Sequence, residues 1–194
     1  MIRSVKCDNF APLNMPVSGT SIETERLVMR PPERDDFEDL YGMWADEEVV
    51  RHVTGAALTR EDVWARLLRS LGHWTALGFG HWIVRDKRSG AFVGEVGFVN
   101  FMRGIGEDFD NAPETGWMLA RQAHRQGYAS ESLEAALRWA DMRWPGVGTV
   151  CIISPDNVDS MKLAGKFSYR ADRNVIYKTK EVTVLRRAAG LPAW

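Results

Sequence analysis

The residues best suited to chemistry gather in one stretch, Arg121 to Ala140, which reads RQAHRQGYASESLEAALRWA. Arg121, His124 and Arg125 are cations or hydrogen-bond donors set just ahead of an amphipathic helix, with Gly127 at the junction. The first turn of a helix exposes unpaired backbone N–H groups and the positive end of the helix dipole. Glycine at 127 lets the main chain approach a phosphate, and the small Ala129 keeps the helix start open. A junction of this kind can hold a diphosphate. The same residues also fit an ordinary turn flanked by solvated cations, and the local sequence leaves both readings open. Neither the G-x-x-x-x-G-K-[ST] loop nor the G-x-G-x-x-G turn is present. Four histidines without ligand spacing give no metal site; His73 and His81 only flank a Trp/Gly-rich segment.

The elements around this stretch follow from periodicity. TERLVMRPP alternates as a strand and stops at its double proline. ERDDFEDLYGMWADEEVV places Phe37, Leu40, Tyr41 and Trp44 on one helical face. Thr59 and Asp62 form a capping pair before a second helix carrying Val63, Trp64, Leu67, Leu68, Leu71 and Trp74. HWIVRD and AFVGEVGFVNF make an antiparallel hairpin. The polar loop RGIGEDFDNAP leads into the strand ETGWMLA. The helix after Gly127 buries Leu133, Ala136, Leu137 and Ala140, carries a Glu134–Arg138 pair outside, and ends at Pro145-Gly146. TVCIIS, PDNVDSMKLAGKF and NVIYKTKEVTVLRR add a strand, a short helix and one or two closing strands. The order β-α-α-β-β-β-α-β-α-β-β predicts an α+β (mixed α/β) fold.

Composition narrows the function. The 194 residues suit a single domain over 21–194 behind a mobile leader, residues 1–20, that lacks periodicity. A net charge of −1 argues against nucleic acid, so any anion site is local. No apolar run is long enough for a membrane span, and no signal peptide is evident. Cys7 and Cys151, the only cysteines, fit a reducing cytoplasm rather than a disulfide framework.

From about Glu23 to Arg187 the chain resembles the GCN5-related N-acetyltransferases (GNAT), and within them the branch that includes the ribosomal-protein N-terminal acetyltransferases. IETERLVMRPPERDDFEDLYGMWAD matches that branch's opening strand and helix, and GEVGF and ETGWMLA its central strands. HRQGYASESLEAAL matches its acyl-CoA pyrophosphate loop, and NVDSMKLAGKFSY its last motif. His124 stands where Gln or Arg is usual, and Arg125 replaces a common glycine. Gly165-Lys166-Phe167-Ser168-Tyr169 stands where the branch has Glu-Lys-Leu-Gly-Phe.

The resemblance implies a mostly antiparallel twisted sheet of six to seven strands, the fourth and fifth splayed apart, flanked by about four helices. It implies direct acetyl transfer from acetyl-CoA to an amine of a protein N-terminus or small molecule, without metal or covalent intermediate. The backbone of Trp117, Met118 and Leu119 would pair with pantetheine. The amides of His124, Arg125, Gln126, Gly127, Tyr128, Ala129 and Ser130 would hold the pyrophosphate, and Asn157 would contact the cofactor. Glu114 would be the base, with Glu95 as its rival; Ser160 would meet the leaving sulfur, and Tyr169 falls beyond that reach. Family habit adds a homodimer. Glu107, Asp108 and Asp110 could draw a cationic amine, or merely be solvated. The competing readings are a non-catalytic acyl-CoA-binding or regulatory domain, and a nucleotide or phosphosugar binder using the same helix end.

Overall fold

The computed structural model of the protein describes residues 20–190, so the expected leader lies outside the described residues except for Thr20. In chain order the elements are β1 (Ile22–Glu23), β2 (Leu27–Arg30), α1 (Phe37–Trp44), α2 (Glu47–Val50), α3 (Arg60–Leu77), β3 (His81–Asp86), β4 (Phe92–Val99), α4 (Glu107–Asp110), β5 (Glu114–Leu119), α5 (Tyr128–Arg143), β6 (Thr149–Ile153), α6 (Val158–Lys166), β7 (Arg170–Tyr177) and β8 (Lys180–Arg187). One sheet of eight strands runs in the order β1-β2-β3-β4-β5-β6-β8-β7. All neighbours are antiparallel except β5 and β6. No helix among the described residues is long and apolar enough to cross a membrane.

The expected class is present, with more pieces. The extra strand is the two-residue β1, which pairs with β2 at Ile22↔Met29. The single helix read over 33–50 breaks in two: the Asp46 side chain accepts from Glu48 N and starts α2 afresh. A short polar side chain that bonds nearby backbone competes with helix continuation. The loop 103–113 contains the one-turn α4. Thr59 and Asp62 do form a reciprocal capping box on α3.

Period-2 alternation sends side chains to two cores. On one face Trp82, Val84, Val96 and Phe98 pack with Leu133, Ala136 and Leu137 of α5. On the other, Ile83 and Met118 pack with Leu40 and Trp44 of α1 and Val63 and Leu67 of α3. Each fully buried large side chain contributes about 1.5–3 kcal/mol. Trp82 is wholly buried within an aromatic cluster with Trp74, Phe98 and Trp139. Trp64, expected at core spacing, is 38% exposed and meets Phe37 edge-on.

The feature that shapes the site is the break between β5 and β6. These strands correspond to the expected fourth and fifth, since β1 precedes the set. They share a single register pair, Glu114↔Val150, and then part. Behind that pair the buried Tyr169 hydroxyl lies 2.6 Å from both Thr115 Oγ1 and Thr149 Oγ1. It is a structural pin.

Candidate active site

A cleft of about 1380 Å³ runs through the parting of β5 and β6. At one end lies the N-terminus of α5. Gly127 is its N-cap residue, with φ 80°, and no side chain caps the helix. The first amide with an intrahelical acceptor is Glu131 N, bonded to Gly127 O. The N–H groups of Gly127, Tyr128, Ala129 and Ser130 therefore point onward with no partner among the described residues, as helix geometry requires. Arg125 also has positive φ, 59°, which turns successive amides toward one point. A Cβ at Gly127 would sit 3.3 Å from Arg26 Nη2 as well as being strained. This cradle suits a diphosphate.

Several side chains around the cradle are engaged otherwise. Gln126 does not line the cleft; its Nε2 donates to Gln122 O at 2.6 Å. His124 Nε2 lies 3.0 Å from Leu119 O, so it ties the loop back to β5 rather than facing the helix end. Arg121 pairs with Asp46. The Tyr128 hydroxyl donates to Asp86 Oδ2 at 2.9 Å, and its ring lies under the Arg26 guanidinium. What stays available is the backbone.

The edge of β5 comes next. Ala120 N donates to Val93 O, and the register with β4 runs unbroken from Gly94↔Leu119 to Val99↔Glu114. In an antiparallel pair bonding direction alternates, so Met118 turns its backbone to β4 as Ala120 does. Met118 is thereby removed from the expected pairing set. Trp117 and Leu119 turn theirs toward β6, beyond the last register pair. Leu119 O is taken by His124, which leaves Leu119 N–H and both main-chain groups of Trp117.

Across the gap stands α6. Asn157 caps it, accepting from Ser160 N at 3.1 Å, so its carbonyl oxygen is spent on the helix although the residue lines the cleft. Ser160 Oγ accepts from Trp117 Nε1 at 3.3 Å. The serine keeps its own proton to donate into the cleft. Cys151 is also there, but burial pushes its thiol up, making it a poor nucleophile.

The far end is polar and deep. Glu95 and Glu114 are each 5% exposed, on the sheet face that packs against α3. Burial pushes the Glu95 carboxyl above the usual range, opposed by Arg66 and by the Trp44 side chain. Among the described residues no arginine or lysine pairs with it, and the neighbouring ring nitrogen, His81 Nδ1, lies 3.9 Å away. Glu114 differs. Burial raises it too, but Arg103 holds both oxygens, Nε to Oε2 at 2.7 Å and Nη2 to Oε1 at 2.6 Å. A carboxylate forked this way is poorly placed to accept a proton.

Sequence reasoning set His81 aside and did not single out Arg66, Arg69 or Arg103, yet all four line the cleft. His81 reaches across β4 onto Gly116, where an added Cβ would meet its Nε2 at 2.7 Å. That nitrogen is buried without a hydrogen-bond partner among the described residues. Burial pushes the ring down to about 3, so it is neutral. The available signal was Gly97 and Gly116, which pair across β4 and β5 beside His81. For the arginines it was Arg66 and Arg69, one helical turn apart on α3. In the acidic loop Glu107 is exposed, while its neighbours are engaged. Asp108 is consumed by Arg173 and Arg186, and Asp110 accepts from Gly104 N.

Comparison with known proteins supplies the frame. The model of the acetyltransferase (GNAT) domain family matches residues 26–170. The uncharacterized protein YkkB of Bacillus subtilis is 28% identical over 174 residues, covering 87% of this chain and 95% of its own. A solved GNAT-family acetyltransferase from Bordetella pertussis superposes with TM-score 0.77 at 30% identity, over 87% of this chain and 99% of that one. RimL, a ribosomal L7/L12 alpha-N-protein acetyltransferase solved with coenzyme A, has the same fold at TM-score 0.69 and 13% identity. There the match spans 87% and 97% of the two chains.

Proposed function

Because the chain belongs to the GNAT acetyltransferase family, we propose that it moves an acetyl group from acetyl-CoA directly to a primary amine held beside Glu95. One observation carries this reading: a single cleft joins four unpaired amides at the start of α5, the open edge of β5 and a buried carboxylate without an ion pair. Acetyl-CoA supplies an activated acyl group on a thiol leaving group; the remaining work belongs to the protein.

The amides from Gly127 to Ser130 hold the diphosphate by charge-assisted hydrogen bonds. Trp117 N–H and C=O, with Leu119 N–H, pair with the pantetheine arm as a strand would, and an amide of that edge polarises the thioester carbonyl. Glu95 takes one proton from the incoming ammonium, so that the nitrogen lone pair can attack the carbonyl carbon. The C–S bond then breaks, the second proton leaving the nitrogen ends on the departing sulfur, and Ser160 meets that thiolate as hydrogen-bond donor. The balance is ammonium plus thioester giving amide, thiol and one proton. Glu114 orients Arg103 beneath this end of the cleft.

The test is thiol release from acetyl-CoA with a panel of amines, with mass analysis of the products. Acetylated amine in step with free thiol is the expected result. Coenzyme A binding without turnover on any amine would favour the non-catalytic reading instead.

A further inference from the structure

The amine end of the cleft has more cations than carboxylates. Arg66, Arg69 and Arg103 enter it, with Glu95 and Glu114 as the only buried carboxylates among the described residues that line it. Arg103 is already forked onto Glu114. Arg66 lies flat on Trp44, its guanidinium carbon 3.6 Å from the ring centroid, and Arg69 lies 4.4 Å from that of Phe101. Neither has a carboxylate partner among the described residues, and they face Glu95 only through longer-range attraction. Stacking on an aromatic ring fixes a guanidinium while leaving its N–H edge to bind something planar or tetrahedral and negative. The surroundings reinforce the sign. Lys178 and Lys180 line the same cleft, as do Glu48, Asp159 and Glu181, and over the whole lining the arginines and lysines still outnumber the carboxylates.

Resting on the acetyltransferase reading above, we propose that the acceptor is a small primary amine bearing an oxyanion, carboxylate or phosphate, which Arg66 and Arg69 clasp while the amine points to Glu95. The acetyl group goes to nitrogen as before; the anionic group is the handle. Burial lowers the Arg66 pKa, as expected of a guanidinium waiting for an anion. A polycationic amine is disfavoured by the same two charges.

The experiment uses amine pairs alike except for the handle: γ-aminobutyrate against γ-aminobutyramide, and phosphoethanolamine against ethanolamine, with spermidine as polycation. The wild-type protein should favour the anionic member of at least one pair by tenfold or more in kcat/KM, and which pair responds separates carboxylate from phosphate. R66Q/R69Q should lose that preference while binding coenzyme A as before. Equal or better use of the neutral members or of spermidine, or a preference that survives R66Q/R69Q, overturns the inference and leaves the acetyltransferase reading standing. Should no amine in the panel turn over, calorimetry with glutarate and with inorganic phosphate on the coenzyme A complex decides. Heat in the wild type that is absent in R66Q/R69Q supports the clasp; no heat in either overturns it. Failure to bind coenzyme A at all overturns both readings.

Discussion

His81 makes the stability of this protein depend on pH in a way that can be worked out. Its native pKa is pushed down from 6.5 to about 3 by burial, with Arg66, His73, Arg69 and Arg103 adding to the effect. The native ring therefore refuses a proton that the unfolded chain accepts. Its contribution to stability is complete above 6.5 and is lost as pH falls toward about 3. At pH 5 the loss relative to pH 8 is roughly 2 kcal/mol, from 1.36 kcal/mol per pH unit below the unfolded value. His81→Gln removes the titrating group, so other pH-dependent groups cancel when the two proteins are compared. Urea unfolding at intervals from pH 8 to pH 5 measures the difference. The wild type should lose about 2 kcal/mol more than the variant across that span. Parallel curves would refute the claim that a neutral imidazole is sealed against Gly116.

Further outcomes follow from the two carboxylates and from Tyr169. Glu95→Gln should lower kcat by about 10²–10⁴-fold. In the wild type kcat/KM should rise with pH through a pKa above the ordinary glutamate range, because the raised carboxyl must lose its proton to act. Glu114→Gln should register chiefly as lost stability, about 3–5 kcal/mol, because it strands the mostly buried Arg103 guanidinium; a melting curve beside the rate measurement separates the two effects. Tyr169→Phe leaves Thr115 Oγ1 and Thr149 Oγ1 without their shared partner and should cost about 1–3 kcal/mol with kcat unchanged.

Much of the fold was legible because local signals agreed. Alternation marked the central strands, and the Thr59/Asp62 box marked the start of α3. Gly127 marked the start of α5. What local signals could not carry was the pairing of distant side chains. Nothing near Glu114 in the chain announces that Arg103 folds back onto both its oxygens from the preceding loop. For this reason the sequence favoured Glu114 over Glu95, although Glu114 is the member that an arginine holds by both oxygens. Asn157 has the motif's residue type and His124 a departure from it, yet each spends a polar atom locally, Asn157 on its own helix and His124 on the end of β5. Met118 was included with its neighbours because alternation is known only once the register with β4 is fixed. Arg66 and Arg69 look like ordinary surface residues of an amphipathic helix until the sheet beneath them is seen to part.

The central claim is that the open start of α5 grips the carrier and lays it along β5. Amide chemical shifts recorded while coenzyme A is added test it most directly. Large changes should appear at Gly127, Tyr128, Ala129 and Ser130, together with Trp117 and Leu119, while Met118 N–H, bonded to β4, moves little. Saturable binding that leaves the Gly127–Ser130 amides unmoved, or no binding at all, would contradict the account.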